Sequence, residues 1–129
     1  MQTYLWIALG GAVGGAGRYW CSTAITRRWG SRLPWGTLTV NVGGCFALGL
    51  LVAGLSGGGT TLSEDVALLL FVGVLGSFTT VSSFGLETLG FLQAQEWWRG
   101  GLNILLTLLL CLTATGLGLA LGTIPAKLT

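Results

Sequence analysis

The chain contains no histidine, and among its 129 residues only six are Lys or Arg and four are Asp or Glu. Without histidine there is no cysteine–histidine pair, and the four acids form no paired-carboxylate site, so an enzyme is the least favoured class. Scarce charge also excludes an ordinary soluble domain. Hydrophobic residues make up 52% of the chain and charged residues 8%, with a mean hydropathy of +0.80, a balance that suits lipid rather than water. The net charge of +2 is too small to indicate a nucleic-acid partner or a polybasic lipid-binding patch. Cysteine is sparse and odd in number. Cys21, Cys45 and Cys111 all fall in apolar segments, show no disulfide framework or metal spacing, and read as small apolar filler.

What the chain does have is four apolar segments, at residues 3–26, 34–55, 66–94 and 98–122. A span needs ~20 residues at ~1.5 Å per residue to cross ~30 Å of hydrocarbon. The third segment exceeds that length and predicts a helix broken in its middle. The first lacks the basic start and small-residue cleavage site of a signal peptide, so it reads as a true span. Pro34 suits the first turn of the second helix. Trp29, Trp35, Trp97 and Trp98 stand at segment ends, as interfacial anchors do. Residues 1–129 therefore form one all-α, multi-pass membrane domain with no soluble appendage.

The 23 glycines are patterned. Gly10/Gly14, Gly11/Gly15 and Gly118/Gly122 are each four apart, the interval that lets transmembrane backbones approach closely. They are expected to pack against their own chain and against a second copy.

Polar residues inside the spans are few enough to weigh singly. Asn41 must find hydrogen-bond partners, either as helix–helix glue or on an ion path, and Thr37 one turn earlier can share its network. Asn103 and Thr107 begin a polar stripe on the last span that Cys111 and Thr115 continue, although threonines also bond to their own i−4 carbonyls. Arg18 and Glu87 are the charges well inside spans; a functional role and a mutual ion pair are both open. Between them lies the stretch 73–84, with two glycines, five hydroxyls and two phenylalanines. Irregular backbone at membrane depth survives only against protein or water. No lysine or arginine sits near the centre of the last three spans. Neutral donors that replace hydration without trapping the ion suit a narrow pore.

The chain resembles the Fluc (or CrcB) fluoride channel family in three ordered motifs. These are Gly10-Gly-x-x-Gly14 through Arg18-Tyr19; Gly36-Thr-Leu-x-Val-Asn41-x-x-Gly44-x-Phe46-x-x-Gly49; and the 73–84 stretch, similar to Gly-x-x-Gly-x-x-Thr-Thr-Phe-Ser-Thr-Phe. The resemblance implies an antiparallel, dual-topology dimer with two pores in a bacterial inner membrane, exporting fluoride passively. It also implies a central Na+ held by the backbone carbonyls of Gly76 and Thr79 from both copies. The family's pore asparagine falls on Asn41, its two phenylalanines on Val81 and Phe84, and the hydroxyls between them on Ser82 and Ser83. The polar track falls on Asn103 and Thr107, and the vestibule glutamate on Glu87. Arg18 is expected to be structural.

Two positions depart from the pattern. Valine at 81 offers shape where a phenylalanine ring edge would carry partial positive charge, and Ser83 keeps the hydroxyl of a threonine. Charge distribution raises a further alternative. Arg27, Arg28, Arg32 and Arg99 follow the first and third spans, against Lys127 on the other side; such a bias favours one orientation, so a heterodimer with an oppositely oriented homologue stands beside the homodimer. A small multidrug-resistance-type cation exporter is the other alternative, although its first-span carboxylate is missing here.

Overall fold

The computed structural model describes residues 1–56 and 62–123; Lys127 lies outside them. Helix α1 is Gln2–Trp29, α2 is Trp35–Ser56, α3 covers residues 64–78, α4 is Val81–Gln93 and α5 is Trp97–Gly122. No strand occurs among the described residues. Three helical stretches are long and apolar enough to cross a membrane, Trp35–Ser56, Glu64–Gln93 and Trp97–Gly122. Helix α1, with 28 residues, has the length but not the apolarity. Gly10, Gly11, Gly14, Gly15 and Gly17, with Arg18 and several hydroxyls, dilute it.

Each boundary has a local cause. The α1 C-terminus is closed by Gly30 at φ 81°, whose N–H donates to Thr26 O; that left-handed conformation favours glycine. Pro34 stands one position before α2 rather than inside it. Its carbonyl accepts the Leu38 N–H at 2.9 Å. Ser63 caps α3 through its hydroxyl, which accepts the Val66 N–H at 3.4 Å. Helix α3 then widens over Leu68–Leu75 into π geometry, so that Gly76 N–H reaches Phe71 O five residues back. Such wide turns recur at functional sites.

The expected break is present and lies at Thr79–Thr80. Thr79 has φ −82°, ψ 156° and Thr80 has φ −152°, ψ 114°, both extended. Helix α4 restarts at Val81.

Glycines decide which helices touch. A Cβ on Gly10 would lie 2.9 Å from Gly73 Cα, and one on Gly14 would lie 3.0 Å from Val74 Cα. Helix α1 thus runs parallel to α3 at backbone contact. A Cβ on Gly49 would lie 2.9 Å from Leu119 N, and one on Gly118 would lie 2.9 Å from Leu50 N, so α2 and α5 run parallel in a second seam. The four-residue glycine pairs at 10/14 and 118/122 therefore serve intrachain packing, whereas Gly15 meets nothing within 4 Å.

The interior is small or polar and the exterior apolar. Buried residues include Gly10, Gly14, Gly49, Gly73 and Gly118 with Thr37, Asn41, Thr80, Thr88 and Asn103, while Leu112, Leu86, Trp97 and Trp98 are exposed. In water this arrangement would be an aggregation surface; in lipid it is the required one.

The charges sort by end. Arg27 and Arg28 close α1 and Arg99 opens α5, whereas Glu64 and Asp65 open α3 at the opposite end. Trp29 packs edge-on to Trp35 at the arginine end, with ring centroids 5.9 Å apart. Among the described residues the ion pair is Arg99–Glu96 at 2.8 Å, and Arg18 and Glu87 do not pair.

Gly118→Ala is expected to destabilise the purified protein by ~1–3 kcal/mol through overpacking of the α2–α5 seam. Gly116→Ala, with open space at its Cβ, is expected to be neutral or to stabilise by up to ~1 kcal/mol. Thermal unfolding in detergent distinguishes the two, and equal effects would remove the seam from the argument.

Candidate functional site

Breaking a helix at membrane depth strands backbone groups that water cannot reach, and each costs several kcal/mol unless bonded. Asn41 on α2 supplies both missing partners at once. Its Oδ1 accepts the Thr80 N–H at 2.7 Å, and its Nδ2 donates to Thr80 O at 3.0 Å. The side-chain amide thus pairs with Thr80 as a neighbouring strand would. Asn41 and Thr80 are each 8% exposed. One turn away, Gly44 has no side chain because Thr79 Cγ2 occupies that space and Phe78 crowds it. Asn41 and Gly44 together receive the break.

The threonines complete the restart. Thr80 Oγ1 accepts the Ser83 N–H at 3.1 Å and caps α4; it also contacts Ser82 Oγ at 3.0 Å and Ser83 Oγ at 3.2 Å. Thr79 returns its N–H and its hydroxyl to Leu75 O, both at 3.0 Å.

The break leaves the carbonyls of residues 76–79 without their helical amides. In an unbroken helix Gly76 O would take the Thr80 N–H, which here goes to Asn41. Thr79 O would take the Ser83 N–H, which here goes to the Thr80 hydroxyl. Gly76 O and Thr79 O, expected to bind a cation, are thus among four consecutive carbonyls left without a helical amide.

Two hollows adjoin the break and a third lies beyond them. A cavity of about 360 Å³ is lined by Asn41, Gly76, Thr79, Thr80, Val81 and Thr107, with Cys45 and Cys111 among its other walls. A second, of about 210 Å³, includes Arg18, Ser22, Thr37, Thr80 and Ser83. The third, of about 260 Å³, includes Ser22, Thr26, Arg27, Thr37 and Glu87. Thr80 lines the first and second, and Ser22 and Thr37 line the second and third. A chain of hydroxyls and two arginines thus leads from the arginine end of the bundle to the break.

The expected site residues distribute unevenly over these hollows. Asn41, Thr107, Val81, Gly76 and Thr79 meet at the first, Arg18 and Ser83 at the second, and Glu87 at the third. Val81 is 80% exposed and points outward from the chain. Phe84, Ser82 and Asn103 line none of the three. Asn103, 3% exposed, donates from Nδ2 to Thr88 Oγ1 at 2.9 Å, and Thr88 donates to Phe84 O at 2.7 Å. It ties α5 to α4. Glu87 Oε1 accepts from Thr37 Oγ1 at 2.5 Å, and its buried Oε2 has no partner among the described residues.

Sequence reasoning passed over Ser22 and understated Thr80. Ser22 was legible as one turn beyond Arg18 on the same face. Thr80 carried no signal separating it from Thr79.

These features define an all-helical, multi-pass membrane protein organised round a broken helix with a hydroxyl-lined interior. The chain belongs to the CrcB family: residues 5–119 match the CrcB-like protein, Camphor Resistance (CrcB) family. It is 44% identical over 119 residues to the fluoride-specific ion channel FluC of Opitutus terrae, covering 92% of this chain and 90% of that one. It is 45% identical over 117 residues to its Magnetococcus marinus counterpart, covering 91% and 94%. Identity to the fluoride-specific ion channel FluC 2 of Rhodopseudomonas palustris is 42% over 127 residues, covering 98% and 97%.

Asn41→Leu is expected to strand both backbone groups of Thr80, at ~1–3 kcal/mol each. Asn41→Asp, whose buried carboxyl takes a proton and so offers Thr80 one acceptor and one donor, should be the milder of the two in thermal unfolding. The reverse order would refute the clamp.

Proposed function

We propose that this chain is a fluoride-specific channel that lets fluoride leave the cell passively across the bacterial inner membrane and so relieves its toxicity. Two copies pair in opposite orientations, and fluoride passes along the hydroxyl-lined route at the helix break. The observation that carries this reading is near full-length similarity to proteins named as fluoride-specific channels. The local chemistry agrees with it.

A small anion needs donors that replace its hydration shell without a deep cationic well. Around the break the uncommitted donors are neutral: the hydroxyls of Ser83 and Thr107, each with one hydrogen to give, and the second N–H of the Asn41 amide, the Thr79 and Thr80 hydroxyls being given to Leu75 O and Ser83 Oγ. Arg27 lies nearer the mouth, where positive charge attracts anions without holding them at the narrowest point, and Arg18 shares the second hollow with Thr80 and Ser83. Thr37 engages one oxygen of Glu87, which keeps that carboxylate turned toward α2.

The Gly76 and Thr79 carbonyls fit a Na+ ion, a hard cation that takes oxygen donors, because the break has released both from helical bonding. Bound there, the ion supplies a fixed positive charge beside the pathway. Gly76 is exposed on the single chain, which leaves its carbonyl accessible to a second copy contributing the same pair. Phe84 and Val81, outside the chain's polar route or pointing away from it, would meet fluoride at the boundary between copies. Valine at 81 leaves the phenylalanine of this chain's own pathway as Phe84 alone.

Liposomes containing the purified protein are expected to release fluoride rapidly and chloride slowly when a potassium ionophore dissipates voltage, as ion-selective electrodes record. Loss of an aromatic edge at ~0.5–1.5 kcal/mol predicts that Phe84→Ile slows fluoride efflux by up to about tenfold with the assembly unchanged. Wild-type flux from Phe84→Ile would take that ring off the path, and a protein that releases neither ion would refute the channel.

A further inference from the structure

The α2–α5 seam brings together two of the three cysteines, which lie 66 positions apart in the chain. Because the two helices run parallel in contact at Gly49 and Gly118, residues four apart form facing rows. Asn41 and Thr107 both line the large cavity. One turn further along each helix come Cys45 and Cys111; both line the same cavity and their side chains are neighbours. Both are half-buried free thiols, whereas Cys21 lies on α1 and touches none of this. The pair is near the middle of both helices, so it sits at mid-depth of the bundle.

We propose that Cys45 and Cys111 form a binding site for a soft, two-coordinate cation of the Hg2+, Ag+ or Cu+ class, with both sulfurs as ligands. Ligand number selects the class. No group of three or more His, Cys, Asp or Glu that would hold a metal exists among the described residues, which removes the four-ligand set of a structural zinc site. The neighbouring donors, the Asn41 amide and Thr107 hydroxyl, are hard and suit a different kind of ion. Two thiolates alone satisfy a soft cation that accepts linear coordination. Mercuric chloride is neutral and enters lipid, so it reaches mid-depth without a charged path. Its capture is a ligand exchange with no redox change. Each thiol gives up its proton, two Hg–S bonds replace two Hg–Cl bonds, and two protons and two chlorides leave. The occupied site would share its cavity with Asn41, Thr79, Thr80 and Thr107.

The test is a thiol count on the purified full chain in detergent. One equivalent of mercuric chloride is added, followed by a lipid-permeable thiol label and identification of the labelled cysteine by peptide mass. Wild-type protein is expected to lose two of its three titratable thiols and to carry label on Cys21 alone. Label on Cys45 or Cys111, or loss of a single thiol per mercury, would overturn the site. A second measurement challenges the mercury-loaded protein with excess glutathione. Retention is expected in wild type and in Cys21→Ala, with loss in Cys45→Ala and in Cys111→Ala; equal retention in all four would also overturn it.

Discussion

The pairing of the Asn41 amide with the Thr80 backbone is the constraint on which the rest of this protein depends. A transmembrane helix interrupted without such a partner would leave a donor and an acceptor exposed to hydrocarbon. With it, two extended residues are held at mid-depth, and the consequences follow in order. The Thr80 amide leaves Gly76 O, the Ser83 amide leaves Thr79 O for the Thr80 hydroxyl, and two backbone oxygens become available for other work. Gly44 is part of the same device, since any side chain there would push Thr79 away from α2.

Packing elsewhere serves to keep α2 and α3 at the right separation for that amide. Two seams of backbone contact, Gly10–Gly73 and Gly49–Gly118, hold α1 to α3 and α2 to α5. Lipid supplies no hydrophobic drive between helices, so close approach and dispersion replace it. Larger apolar side chains are consequently free to face outward, and the interior can be given to hydroxyls and amides. The polar contacts Thr37–Glu87 and Asn103–Thr88 then bind α4 to α2 and α5, fixing the direction in which the helix restarts.

Much of this was legible in the sequence. The length of the third segment and its cluster of hydroxyls located the break, and charge scarcity fixed the solvent. Asn41 was legible as a residue in need of partners, and its reading as helix–helix glue matches the structure, where it bonds the break and also lines the cavity. What sequence could not supply was register between helices. Whether Gly14 meets α3 or another copy, whether Glu87 faces Arg18 or Thr37, and whether Cys45 meets Cys111 all depend on which residues stand level across a seam. Asn103 shows the limit from the other side. It lies on the same stripe as Thr107, yet the crossing with α4 buries it against Thr88, whereas Thr107 opens on the cavity.

The sorting of charge by end has an electrical consequence. With arginines at one end of the bundle and Glu64 and Asp65 at the other, a single chain is a dipole along the membrane normal, and a transmembrane voltage does work on it. In the proposed antiparallel pair, two copies would cancel that dipole. Such a pair would offer voltage no handle with which to turn or open it, and its two routes, related by the same two-fold operation, would pass current equally well in either direction. A pathway built this way is expected to conduct without rectification.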